Sequence, residues 1–191
     1  KLKMLMALVA ILLFSAFTTD RTITIFMIGD STMANKSLDG GNQERGWGHV
    51  LGGYFSEDIR VENHARNGRS SKSFIDEGLW EVVINRVKPG DYVFIQFGHN
   101  DEKADEGRYT NPNGNYLTEG SFANSLYVNY VKPAQEKGVT VVLCTPIVRR
   151  TATGIWEDSN LHITSDSGEF EGGNYAEAIR KMGEDLDITV V

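Results

Sequence analysis

Short apolar, β-rich runs alternate with helix-patterned segments along most of this chain, and that alternation narrows the fold more than any other feature. The runs are Thr22–Ile28, Ile59–Asn63, Tyr92–Phe97 and Val139–Cys144, with a fifth starting at Ile188–Val191. Tyr92–Phe97 and Val139–Cys144 are apolar at both parities, as strands covered on both faces must be. Helical candidates fill the gaps at Trp47–Phe55, Phe74–Val87, Ser121–Glu136 and Tyr175–Leu186. Pro89-Gly90-Asp91 and Glu136-Lys137-Gly138 stop helices just before strands. Strands separated by helices specify an α/β fold with a mostly parallel sheet and right-handed crossovers. Two stretches resist either pattern, Glu102–Gly120 and Arg149–Gly173, and each follows a strand.

Composition sets outer bounds. The 191 residues, 40% hydrophobic and 24% charged, suit one globular domain with a single core. One cysteine excludes an intrachain disulfide framework, and Cys144 on a core strand is expected to be an inert buried thiol. A net charge of −7 argues against a general nucleic-acid binder. Lys1 and Lys3 precede an uncharged apolar run, Met4–Phe17, and then Thr18-Thr19-Asp20. That layout predicts a signal peptide over residues 1–19, with a buried first helix or strand as the alternative. The run is too short to span a bilayer, which takes about 20 apolar residues. A secreted or periplasmic mature protein follows, more acidic than the whole and with no stable membrane insertion.

In a parallel α/β sheet, ligands collect at the carboxyl ends of the strands. Gly29-Asp30-Ser31-Thr32 follows the first run, Asn67-Gly68-Arg69-Ser70-Ser71 lies beyond the second, and Gly98-His99-Asn100-Asp101 follows the third. Acyl transfer needs a nucleophile on a tight turn, donors aimed at the developing oxyanion, and a base. Ser31 fits the first role, while the Gly68 N–H and the Asn100 amide fit the second. Singly, each block is equally well a turn: Asp30, Ser31 or Thr32 can cap a helix, and Gly98–Asp101 can form an Asx turn. Their ordered recurrence after three strands is harder to explain as turns. No Gly-Lys-Ser/Thr follows the first strand, which excludes a phosphate-binding loop there.

With these blocks the sequence resembles the SGNH, or GDSL-type, serine hydrolases. The additional segments Met33-Ala34, Gly46-Trp47-Gly48, Gln96-Phe97 and Thr145-Pro146-Ile147-Val148-Arg149-Arg150 look like those of rhamnogalacturonan acetylesterases. The resemblance implies a three-layer α/β/α sandwich around a flavodoxin-like five-stranded sheet. It also implies removal of acetyl groups from pectin without cofactor or metal, Ser31 as nucleophile, and an oxyanion hole of the Ser31 and Gly68 N–H groups with the Asn100 amide. Asp30, Arg69, His99 and Asp101, within or beside the blocks, are expected at the substrate. The expected partner is an acetylated polysaccharide substrate, and the enzyme is expected to be a monomer. Xylan, aryl and lipid esterases share the fold, and a non-catalytic glycan-binding protein is the reading from another class.

The family's Asp-x-x-His block, which supplies the general base, has no counterpart in the chain. The hydrolase domain, 20–191, is therefore expected to stop short of that block, with the base beyond Val191. His49 and His64 suit structural roles. His162 follows Asp158 with one residue too many and precedes the last helix and strand. Arg69, Arg149 and Arg150 are placed to meet carboxylates of an acidic polysaccharide, or else to serve as solvated surface charges. Trp47 and Trp80 are expected to pack on the sheet, leaving Trp156 as a sugar platform.

Overall fold

The computed structural model describes residues 21–191; the expected leader lies outside the described residues. Five strands, β1 (Ile23–Gly29), β2 (Ile59–Asn63), β3 (Tyr92–Gln96), β4 (Thr140–Leu143) and β5 (Thr189–Val190), form one sheet. Its order is β2-β1-β3-β4-β5 and every pairing is parallel. The order reverses direction at β1, so β1 and β3 are neighbours whose chains leave toward opposite sides. Ligand crevices open at such a point.

Alternation along the strands builds two apolar layers. Phe26 and Ile28 of β1, with Val93 and Ile95 of β3, face one side. They meet α2 (Ser71–Asp76), α3 (Leu79–Ile84), α4 (Phe122–Leu126), α5 (Lys132–Glu136) and α6 (Tyr175–Leu186) through Phe74, Trp80, Leu126, Ala134 and Ile179. Ile25 and Met27, one residue out of phase, face the other side and pack with Met33, Ala34 and Ala65. That second layer is thinner; α1 (Trp47–Val50) and the short turn after it supply Trp47 and Leu51. The result is the three-layer α/β/α sandwich.

The helices depart from the expected spans for local reasons. The segment expected as one helix over Phe74–Val87 is two, α2 and α3, because Gly78 adopts φ +69° between them. α2 also starts earlier, at Ser71, where Ser70 and Ser73 cap one another's backbone N–H groups. Between α4 and α5 the backbone widens into a π-helical turn, Tyr127–Val131. The span from Trp47 to Phe55 tightens after Val50 into a 3-10 turn, Leu51–Tyr54. α6 matches its expected bounds: Asn174 Oδ1 accepts the Glu177 N–H at 2.9 Å, and Asp187 ends the helix at φ +51°.

Candidate active site

The turn after β1 presents Ser31. The Asp30 carbonyl accepts the Met33 and Ala34 N–H groups at 3.3 and 3.0 Å, curling the chain sharply after the strand. Asp30 Oδ1 accepts the Thr32 N–H at 2.9 Å and the Thr32 hydroxyl at 2.8 Å. Ser31 is partly exposed on this turn, and among the described residues its hydroxyl makes no hydrogen bond. Gly29 must be glycine, because a Cβ there would stand 2.4 Å from the Gln96 carbonyl oxygen of β3.

Gln96 is the hub beneath that turn, a role the sequence pattern did not assign to it. Its Oε1 accepts Trp47 Nε1–H at 2.7 Å and lies 3.0 Å from the Thr32 hydroxyl, while its Nε2 donates to the Thr145 carbonyl at 3.0 Å. One side chain therefore ties the ends of β1, β3 and β4. The available signal was a polar residue, 2% exposed, closing an otherwise apolar strand. Its hydrogen bond half-buries Trp47, and Trp80 is buried in the main core, whereas Trp156 is 59% exposed.

The second block joins the first through the backbone: the Arg66 N–H donates to the Gly29 carbonyl at 2.9 Å. Gly68 follows in a turn with φ +78°, a conformation that favours glycine. The third block joins the second through Asn100, 7% exposed, whose Nδ2 donates to the Arg69 carbonyl at 3.1 Å. This fixes the amide and leaves its second N–H free to point elsewhere.

Four residues expected at the substrate divide. Asp101 is fully buried: Oδ1 accepts the Ser71 N–H, the Ser71 hydroxyl and the Thr110 hydroxyl, and Oδ2 accepts the Gly98 N–H. It is a strut beneath the site rather than a substrate contact. Burial pushes its carboxyl up to about 7, against the opposing pull of the Ser71 and Thr110 hydrogen bonds. Asp30 is likewise fully buried and spends Oδ1 on Thr32, while its Oδ2 has no hydrogen-bond partner. Arg69 lies on the expected side, but its guanidinium is committed to Glu77 and the Asn67 carbonyl. His99 is only partly covered and remains in place to meet a ligand.

His99 belongs to a cluster that the sequence does not announce. Its ring lies 4.3 Å from that of His162, and both rings place Nε2 against the Ile147 carbonyl, at 2.8 and 2.9 Å. His162 is fully buried with Nδ1 2.8 Å from Glu102 Oε2, and the other oxygen of Glu102 pairs with Arg149. Arg149 also donates to the His99 carbonyl at 3.1 Å. Burial lowers the His99 pKa from its ordinary value; Asp30 opposes that shift, and His162 and Arg149 add to it. Neither ring nitrogen of His162 is free to serve Ser31. Arg149 is tied down as well, whereas Arg150 is exposed.

Cys144 is buried and its thiol is pushed up to about 12, so it is inert as expected. Among the described residues no group of three or more His, Cys, Asp or Glu could hold a metal ion, and no helix is long and apolar enough to cross a membrane.

Comparison with known proteins matches residues 27–191 to the GDSL-like lipase/acylhydrolase family. The rhamnogalacturonan acetylesterase RhgT of Bacillus subtilis is 34% identical over 171 residues, covering 90% of this chain and 65% of that protein. The probable rhamnogalacturonan acetylesterase YesY of the same organism is 39% identical over 126 residues, 65% of this chain and 54% of that protein. The crystal structure of B. subtilis YxiM superposes with a TM-score of 0.64 at 26% identity, over 89% of this chain and 43% of the other. The chain thus spans about two thirds or less of the length of each of these three.

Proposed function

The chain belongs to the GDSL-like lipase/acylhydrolase family, and from that premise we propose that it is a secreted serine esterase. Its reaction in this reading removes O-acetyl groups from a plant cell-wall polysaccharide, with pectic rhamnogalacturonan as the substrate. The observation that carries the reading is the hydrogen-bonded joining of three strand-end blocks around Ser31. The names of RhgT and YesY support the substrate.

Ser31 Oγ attacks the acetyl carbonyl carbon and gives its proton to a general base. The Ser31 and Gly68 N–H groups and the free N–H of the Asn100 amide stabilise the oxyanion, where preorganised donors contribute most. The sugar oxygen leaves with the proton, an acetyl-serine remains, and water releases acetate. The base is assigned to the His of an Asp-x-x-His block following β5. His64 faces Glu62, His49 accepts the Lys36 N–H, His162 is fully engaged, and His99 is turned to Ile147. Residues 1–19 serve as the leader in this account, the domain starts at residue 20, and the enzyme works as a monomer.

The test is acetate release from acetylated rhamnogalacturonan, acetylated xylan and nitrophenyl acetate, by the full-length protein and by Ser31→Ala. The proposal expects preference for the pectic substrate and loss of at least about a thousandfold in kcat on removing the nucleophile. A preference for xylan or the aryl ester replaces the substrate. Glycan binding without release, indifferent to Ser31→Ala, replaces the enzyme.

A further inference from the structure

A polar cleft of about 470 Å³ lies beside the Ser31 turn, between Ala34 and Asn35 on one wall and Asn63–Asn67 on the other. Its wall is tied to the turn that carries Ser31, because the Arg66 N–H donates to the Gly29 carbonyl two residues before Ser31. A volume of that size accommodates a small ligand such as one or two sugar rings.

Its polar groups can be accounted for one by one. The acceptors are largely spent inside the protein. Asn63 Oδ1 takes the Ala65 N–H, Asn35 Oδ1 takes Asn63 Nδ2, and Asn67 Oδ1 takes Lys36 Nζ. The Glu77 carboxylate is neutralised by Arg69, and the cleft's histidine, His64, turns Nε2 to Glu62. The donors are not spent. Among the described residues, Asn35 Nδ2, Asn67 Nδ2 and the guanidinium of exposed Arg66 have no acceptor. A cleft whose unused groups include two amide donors and one unpaired cation, beside His64 Nδ1, suits a ligand that brings acceptors and negative charge. Guanidinium geometry further favours a planar carboxylate, which it can bind through two parallel hydrogen bonds.

We propose that this cleft is a subsite for the carboxylate of a uronate residue in the substrate chain, read by Arg66 with the amides of Asn35 and Asn67. Arg66 takes the role for which Arg69 and Arg149 are unavailable, since both are paired within the protein. The inference rests on the acidic-polysaccharide reading of the substrate, and it makes Arg66 a specificity residue rather than a catalytic one.

The test is a binding titration, separate from any acetate assay. Trigalacturonate and its carboxyl-reduced counterpart are titrated against the protein and against Arg66→Gln and Arg66→Lys, with amide chemical shifts followed by NMR. Only the side chain changes, so the backbone bond from residue 66 to Gly29 is retained. The charged trimer is expected to bind with shifts at Asn35 and Asn67, and about tenfold more weakly to Arg66→Gln, with Arg66→Lys between. The reduced trimer is expected to bind weakly and equally to all three proteins. Unchanged affinity in Arg66→Gln, equal binding of the reduced trimer, no binding of the charged trimer at millimolar concentration, or shifts remote from the cleft would each overturn the subsite. A protein that binds the charged trimer through Arg66 yet releases no acetate keeps the subsite and loses the esterase.

Discussion

Ser71 reaches across from the start of α2 to Asp101, donating its N–H at 2.9 Å and its hydroxyl at 2.6 Å to the same carboxylate oxygen. The contact couples the Gly68 turn to the Asn100 turn through a pair shielded from water, so the spacing of the two proposed oxyanion donors depends on it. Tyr130 adds to the joint by donating its hydroxyl to the Ser71 carbonyl, and Tyr175 donates to the carbonyls of Asp101 and Thr110. Asp101→Ala leaves buried donors from Ser71, Thr110 and Gly98 without an acceptor. A loss of about 3 kcal/mol is expected from such unsatisfied groups, measured by urea denaturation, and kcat is expected to fall more than KM rises.

The same carboxyl makes stability depend on pH with a definite sign. Its folded-state pKa, about 7, stands above the ordinary carboxylate value. The folded protein therefore holds a proton that the unfolded chain releases. This contribution is fully present below the unfolded value, about 4, and is lost as pH rises through about 7. Denaturation midpoints followed across that window are expected to fall more steeply with rising pH in the wild type than in Asp101→Asn.

Glu102 and His162 are 60 residues apart in sequence and 2.8 Å apart in space. Replacing His162 by Ala leaves Glu102, 7% exposed at its side chain, with Arg149 as its remaining charged partner and opens a cavity under His99. A destabilisation of about 3 kcal/mol is expected from the lost buried hydrogen bond and the cavity left behind, and 146–163 should lose hydrogen-exchange protection before the sheet does.

Gly29→Ala tests the tight approach of the Ser31 turn to β3. The added methyl would sit 2.4 Å from the Gln96 carbonyl oxygen, an atom that cannot swing aside. The backbone must shift, at a cost of about 1–3 kcal/mol. Displacement of the Ser31 turn should depress esterase activity even at temperatures where the variant remains folded, as circular dichroism would show.

Much of the architecture was legible because it rests on local pattern. Phe26 and Ile28 against Ile25 and Met27 show the two-sided β1 in four letters, and Ser31, Gly68 and Asn100 are marked by their places after strands. What escaped depends on contacts distant in sequence. Gly78 did not look like a helix break within an apolar period, and only its left-handed backbone shows it to be one. Asp101 read as a substrate contact, because nothing nearby in sequence tells that Ser71 and Thr110 will enclose it. His162 failed as a base on its spacing and its place before the last helix and strand, but its union with Glu102 joins two irregular segments that no periodicity connects.

The central claim is that Ser31 is the nucleophile, and covalent labelling tests it most directly. The full-length protein is treated with a phosphonofluoridate, which reacts with an activated serine, and its peptides are weighed by mass spectrometry. The account predicts one stoichiometric adduct on the peptide carrying Ser31, with acetate release lost in proportion and no adduct in Ser31→Ala. Full acetate release from a Ser31→Ala protein, or an adduct on another serine that tracks the loss of activity, would contradict it.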